Sequence, residues 1–420
     1  MAPSDAHKHT TAGPWAQRLI VAVMLSAMGW PLALTVIVHA GPRSIGRWID
    51  GRPLHDNAVA PRRPRLGPAS WWRGQYQREL EAWFSRNLAL RPRIVRLTNQ
   101  AYYSIFSKSY MYDRQIVIGR DRELYEAGYL SGYCRAFGTP DAAAITSLVA
   151  RLSQLRDRLE SNGRSLILLL TPSKAVTMPE FLPAGLCGGP SDPDRIRSQF
   201  VESIRDAHIV MIDGPSLVRE MKRADPLPPF LRGSTHWSVL AGDRVSQKVV
   251  EAIGRLWNRD VGAIVLDPPR WDAPPRGTDA DLVALLNLWR PPLDYRAGAA
   301  ERECRPTAEG QRSRLVAVGG SFLEEILEPI SGCRLFGAVQ MFFYLDLMRV
   351  EWIPERRPYP FDPAALDWPD LLDERTMLLV EMNENLIGYE NTHVHRLVDS
   401  ALTGLGQDNR RGRDATPKTK

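Results

Sequence analysis

Leu315-Val-Ala-Val-Gly-Gly-Ser-Phe322 is an apolar strand, Leu315 to Val318, that ends in two glycines and delivers a serine into a helix-like run, Leu323 to Leu327. A strand-to-helix turn of this kind places a hydroxyl at the carboxyl edge of a sheet. The first backbone N–H groups of the helix lie beside it without helical partners, where they can stabilise an oxyanion. A serine hydroxyl is a weak nucleophile until a base takes its proton, and imidazole is the usual base. The chain offers one 85 residues earlier, in Arg232-Gly-Ser-Thr-His-Trp237, with Trp237 able to pack the ring in place. Ser321 and His236 are the candidate acyl-transfer pair.

The surrounding pattern alternates. Ile145, Leu148, Val149, Leu152, Leu155 and Leu159 mark one face of a helix, which Asn162-Gly163 ends. Ser165 to Thr171 (SLILLLT) follows as a strand buried on both faces. The pattern predicts a helix over 195–207, a strand over 208–212 and a helix over 238–256. A Pro- and Arg-rich insertion, 267–310, precedes the strand that feeds Ser321. Short strands follow at 341–345 and 377–381, then a closing helix over 386–402. Such alternation implies an α/β fold with a mostly parallel sheet flanked by helices, its site at the carboxyl ends of the strands. Thr171, Ser321 and Glu381 fall at such ends.

The N-terminus points outward from the cytoplasm. Leu19 to Ala40 is 22 residues without a formal charge, enough to cross a hydrocarbon core of about 30 Å. Arginines and lysines lie on both sides of it, so charge counting does not settle orientation. Val38-His-Ala40 resembles a small-residue cleavage site, but the length of the apolar run favours an uncleaved anchor. The expected organisation is a cytoplasmic segment at 1–18, a transmembrane signal anchor at 19–40 and a linker at 41–70. A catalytic domain at 71–403 and a disordered tail at 404–420 complete it. Four cysteines, Cys134, Cys187, Cys304 and Cys333, fit an oxidising compartment. They allow three pairings, of which spacing suggests Cys134–Cys187 and Cys304–Cys333, with four buried thiols as the alternative. No cysteine or histidine spacing suggests a metal, and no cofactor motif is present. The net charge of +6 is spread among acidic residues, which excludes the basic face of a nucleic-acid binder.

Four stretches in order resemble the SGNH hydrolase-like proteins of the alginate O-acetyltransferase type (AlgX/AlgJ-like). They are the tyrosine-rich 116–133, Thr171-Pro-Ser-Lys174 with Pro179-Glu-Phe-Leu-Pro183, Gly233-Ser-Thr-His-Trp237 and Gly319-Gly-Ser-Phe322. The chain departs from the family twice, since Ser234 and Gly320 stand where aspartates are common. Without the first aspartate, Glu381 or Glu384 is the expected source of an acid partner for His236. Lys174 could neutralise an anionic sugar or acyl group, and Glu381, Asn383 and Glu384 could wall the cleft. The resemblance implies an O-acetyltransferase acting on a cell-envelope or extracellular polysaccharide. Its acyl donor would be a membrane-bound O-acyltransferase, and its domain would stand in the periplasm on a single-pass inner-membrane anchor. A carbohydrate esterase, or a polysaccharide-binding scaffold subunit without catalysis, is the competing expectation.

Overall fold

A computed structural model describes residues 14–55, 63–110, 116–135, 142–187, 193–346, 348–353 and 355–414. The chain divides into two compact units, Met1–Phe106 with Ala284–Pro291, and Ser107–Val283 with Pro292–Lys420.

In the first unit the apolar helix spans Pro14–Ala40, with a stretch over Trp15–Ala40 long and apolar enough to cross a membrane. The expected linker is partly ordered, since Arg43–Asp50 is helical. Two further helices cover Gln75–Asn87 and Arg91–Phe106. The last is fixed by Asn99, whose buried amide donates to the Leu286 carbonyl at 2.7 Å.

The second unit is built on a seven-stranded sheet. Its strands, numbered along the chain, are β1 Ser165–Thr171, β2 Met211–Asp213, β3 Arg314–Gly319, β4 Ala338–Phe343, β5 Met348–Glu351, β6 Arg357–Pro360 and β7 Thr376–Asn383. They lie in the order β6-β5-β4-β3-β7-β1-β2. The five strands from β4 to β2 in that order are mutually parallel, while β5 and β6 run antiparallel at one edge. The longest strand, β7, pairs on one side with β3 (Val380 opposite Val318) and on the other with β1 (Asn383 opposite Thr171).

Successive side chains of a strand point to opposite faces, and the core obeys that rule residue by residue. Ile167, Leu169, Leu315, Ala317, Met377 and Leu379 pack against Val245, Val249, Ile253, Ile326 and Ile330. These partners belong to the helices Val239–Trp257 and Glu324–Gly332. Leu166, Leu168, Leu170, Val316, Val318, Leu378 and Val380 face the other layer, Leu148, Leu152, Leu155, Val394, Leu397 and Val398. That layer comes from the helices Ala142–Glu160 and His393–Asp414. A strand clothed on both faces reads as an unbroken apolar run, which is why β1, β3 and β7 stand out in the sequence.

Several boundaries differ from expectation. The closing helix starts at His393, and a short 3-10 turn, Glu384–Leu386, occupies its expected beginning. It continues to Asp414 rather than giving way to a disordered tail at 404; residues 415–420 lie outside the described residues. β7 continues to Asn383, so Glu381 lies within the strand instead of at its end. Both disulfides form in the pairing that spacing suggests, Cys134–Cys187 and Cys304–Cys333.

Candidate active site

Ser321 opens a 3-10 turn, Ser321–Leu323, that β3 delivers and that leads into the helix Glu324–Gly332. The turn is held from behind by Glu381. This carboxylate is 2% exposed; one oxygen accepts the Gly320 N–H at 2.7 Å and the other accepts the Thr171 hydroxyl. A Cβ on Gly319 would lie 2.6 Å from both Cβ and Oε2 of Glu381, so the close approach requires glycine there.

His236 reaches the serine from the segment between Ala224 and the helix Val239–Trp257. Its Nε2 is 2.7 Å from Ser321 Oγ. Its Nδ1 is 2.5 Å from Asp281 Oδ2, and Asp281 Oδ1 accepts the N–H groups of Thr235 at 2.9 Å and Leu282 at 2.6 Å. The imidazole lies against Phe322, ring centres 4.7 Å apart. Trp237 is fully buried and meets Phe322 edge-on at 5.7 Å. One apolar ring therefore seats both the histidine segment and the serine turn.

The acid partner is not where sequence reasoning put it. Ser234 is buried and turned away from the ring, donating to the Leu231 carbonyl at 2.9 Å and accepting the Leu231 N–H at 3.1 Å. Glu381 is committed to Gly320 and Thr171, as above. Glu384 accepts the Ser173 N–H at 2.6 Å, and burial lifts its pKa to about 8 against the pull of that bond and of Arg197 and Arg219. Asp281 lies in the insertion, 45 residues beyond the histidine. Its one sequence signal is the apolar stretch Leu282-Val283-Ala284-Leu285-Leu286 within a polar insertion, which marks chain returning to a core.

Lys174 also departs from expectation. It is 3% exposed, and its ammonium pairs with Glu123 at 2.8 Å. It also donates toward the carbonyls of Leu124, Leu231 and Ser234 at 2.8–3.0 Å. Its charge is spent inside the protein, where it ties down the segment that carries His236.

Burial works against charge on the imidazole. Glu325, then the hydrogen bond and charge of Asp281, then Glu126 outweigh it and raise the His236 pKa from 6.5 to about 9. Burial likewise lifts Glu325 to about 7, opposed by the imidazolium. Glu325 also lines a cavity of about 680 Å³ with Val239, Asp243, Glu324, Arg302 and Trp352. Tyr344, two residues past Met341-Phe342 in the turn after β4, brings its hydroxyl against Gly320 in the serine turn, 2.5 Å from where a Cβ there would lie. Neither Glu325 nor Tyr344 was singled out by the sequence, because neither lies in a motif.

The arrangement is a hydroxyl, an imidazole and a carboxylate linked in series beside a turn, the constellation of acyl-transfer catalysis on several unrelated folds. Residues 116–313 match the family model described as SGNH hydrolase-like domain, acetyltransferase AlgX. A probable alginate O-acetylase AlgJ of Pseudomonas putida is 28% identical over 206 residues, which is 46% of this chain and 49% of that protein. The chain thus matches about half the length of that curated relative. Among solved structures, the O-acetyltransferase domain of Pseudomonas putida AlgJ aligns with 68% of this chain and 99% of its own, at 21% identity and a TM-score of 0.44. Pseudomonas aeruginosa AlgX aligns over 69% of this chain and 68% of its own, at 15% identity and a TM-score of 0.41. Residues 116–313 are thus similar to the SGNH hydrolase-like domain of the AlgX/AlgJ type.

Proposed function

We propose that the protein is an exported, membrane-anchored O-acetyltransferase that modifies a cell-envelope or extracellular polysaccharide through an acyl-serine. The observation that carries this reading is the series Ser321 Oγ, His236 Nε2 at 2.7 Å, and His236 Nδ1 on Asp281 at 2.5 Å. In the first half-reaction the Ser321 proton passes to His236 Nε2 while Oγ bonds to the carbonyl carbon of the donor. The carbonyl electron pair moves to oxygen, beside the N–H groups of the Ser321 turn. The tetrahedral species collapses as the donor oxygen leaves with the proton held by His236. In the second half a sugar hydroxyl gives its proton to His236 and attacks the acyl carbon; Ser321 leaves and regains that proton. Asp281 holds the Nδ1 hydrogen throughout and stabilises the imidazolium without taking the proton.

The setting follows from other features. Two disulfides suit an oxidising compartment, and the helix Trp15–Ala40 would anchor the domain to the inner membrane. A periplasmic domain has no pool of acetyl-coenzyme A, so a membrane-bound O-acyltransferase would supply the acyl group. The P. putida relative carries alginate in its name; for this chain the reading is a polysaccharide acceptor, without a choice of sugar. The scaffold alternative drew its support from the two missing aspartates; Asp281 offers the imidazole a carboxylate in place of the first.

The test supplies 4-nitrophenyl acetate and an oligosaccharide acceptor and follows acetylated sugar by mass spectrometry. Parent protein is expected to transfer acetyl and to carry a transient acetyl on Ser321. Ser321→Ala, which removes one oxygen from a turn, is expected to lose both by roughly 10⁶ in rate with an unchanged melting temperature. Transfer by Ser321→Ala at the parent rate would end this reading. Release to water alone, with acceptor present, would redefine the protein as an esterase.

A further inference from the structure

Among the described residues, Tyr344 brings a second hydroxyl to the serine turn at a visible backbone cost. It follows β4 at φ 51°, and Leu345 after it has φ 49°. Two successive left-handed residues with large side chains cost about 1–3 kcal/mol each, and such conformations persist where the surroundings enforce them. Here they do. The Tyr344 N–H donates to the Gly319 carbonyl at 2.8 Å, and its carbonyl accepts from Arg396 at 2.9 Å. Its ring meets the edge of His393 at 5.3 Å between centres. The phenol oxygen thereby stands against the serine turn, 2.5 Å from where a Cβ on Gly320 would lie.

The same placement accounts for Gly320. A Cβ there would lie 2.5 Å from the phenol oxygen and 2.7 Å from two ring carbons. Tyr344 occupies the space that any side chain at 320 would need.

We infer that the Tyr344 hydroxyl is a catalytic hydrogen-bond donor, completing with the Ser321 N–H the hole that receives the negative oxygen of the tetrahedral species. The inference rests on the acyl-serine reading and adds a residue to it. In the resting site the phenol oxygen stands beside Gly320 at the serine turn, where an arriving carbonyl oxygen would be held. As Ser321 Oγ bonds to carbon and the carbonyl pair moves onto oxygen, that oxygen accepts from Ser321 N–H and from the phenol. Tyr344 keeps its proton throughout. Burial, followed by the charge of Glu381, raises its pKa to about 12 against the hydrogen bonds to Ser321, so it remains a donor across the working range.

The experiment compares acetyl-serine formation and turnover of 4-nitrophenyl acetate by the full chain and its variants. Tyr344→Phe removes only the oxygen. It is expected to lower kcat and the burst rate about 10²–10³-fold, as for loss of a single oxyanion donor, with KM and melting temperature unchanged. Gly320→Ala keeps the phenol but forces it off the serine, and a comparable fall in kcat is expected; this variant also serves if Tyr344→Phe folds poorly. Full kcat in either variant overturns the inference while leaving the acyl-serine reading intact. A faster Tyr344→Phe would make the phenol a plug rather than a donor, and also overturns it. A parent with no burst that depends on Ser321 removes both.

Discussion

Strand β3 and the insertion 267–310 each bring one group to the imidazole, and they do so in different ways. β3 is buried between two helical layers, with Leu315 to Val318 no more than 1% exposed. Core packing of this strand carries Ser321 to the imidazole, and Glu381 holds the turn behind it through the Gly320 N–H. In the insertion, Leu282 and Val283 are buried next to Asp281. Asp281 is held by hydrogen bonds: its own to Thr235 and Leu282, and those of its neighbour Asp279 to the N–H groups of Val239 and Arg276 at 3.0 and 3.1 Å. Tyr295 also donates to the Asp279 carbonyl at 2.8 Å. Packing dominates the placement of Ser321, and hydrogen bonds dominate that of the Asp281 carboxylate.

The sharpest way to break that contrast is Asp281→Asn. Asparagine keeps an oxygen for the Thr235 and Leu282 N–H groups but offers the imidazole the wrong partner. A fall of about 10⁴ in kcat is expected, with little change in melting temperature. Adding Ser234→Asp is not expected to restore the rate, because position 234 faces Leu231. Full activity in Asp281→Asn would return the acid to some other part of the chain.

Lys174→Met tests the opposite limb, where placement and stability are joined. It leaves Glu123 buried without its cation and strips donors from the carbonyls of Leu124, Leu231 and Ser234. Loss of one partner of a buried pair costs about 3–5 kcal/mol, read by denaturant unfolding. A variant as stable as the parent would mean that the lysine is free after all.

The smallest effect is a pH dependence. His236 must be neutral to take a proton, and its pKa stands near 9, so acyl transfer is expected to rise between pH 6.5 and 9. Stability runs the other way. A histidine whose folded pKa exceeds its unfolded value stabilises fully below the unfolded value, near 6.5, and that contribution is lost as pH rises through about 9. Glu325→Gln removes the largest of the charges that raise the imidazole pKa. It is expected to move the rate limb toward neutral pH, increasing activity at pH 7 severalfold. A rate limb unmoved in this variant would show that Glu325 does not act on the imidazole.

The same contrast explains what the sequence discloses. β1, β3 and β7 are legible because strands covered on both faces must be apolar throughout, and Ser321 and His236 are legible because each sits next to such an element or in a motif with an aromatic partner. Asp281 is one aspartate among several in a polar stretch, and only tertiary structure distinguishes it from Asp279. Lys174 was expected to face solvent or an anion because lysine is seldom buried; four oxygen partners, invisible along the chain, make its burial possible. Glu381 was expected to face the cleft, but β7 runs two residues past it and turns it beneath the glycine turn.

The Cys304–Cys333 bond spans 29 residues, and that stretch contains β3, the serine turn and the helix Glu324–Gly332. Ser321 therefore rides on a closed covalent ring. A protease that cut one peptide bond inside the ring would leave both new ends attached through sulfur, and the strand and helix on either side of Ser321 could not drift apart. Reduction would turn the same nick into a break that severs the chain.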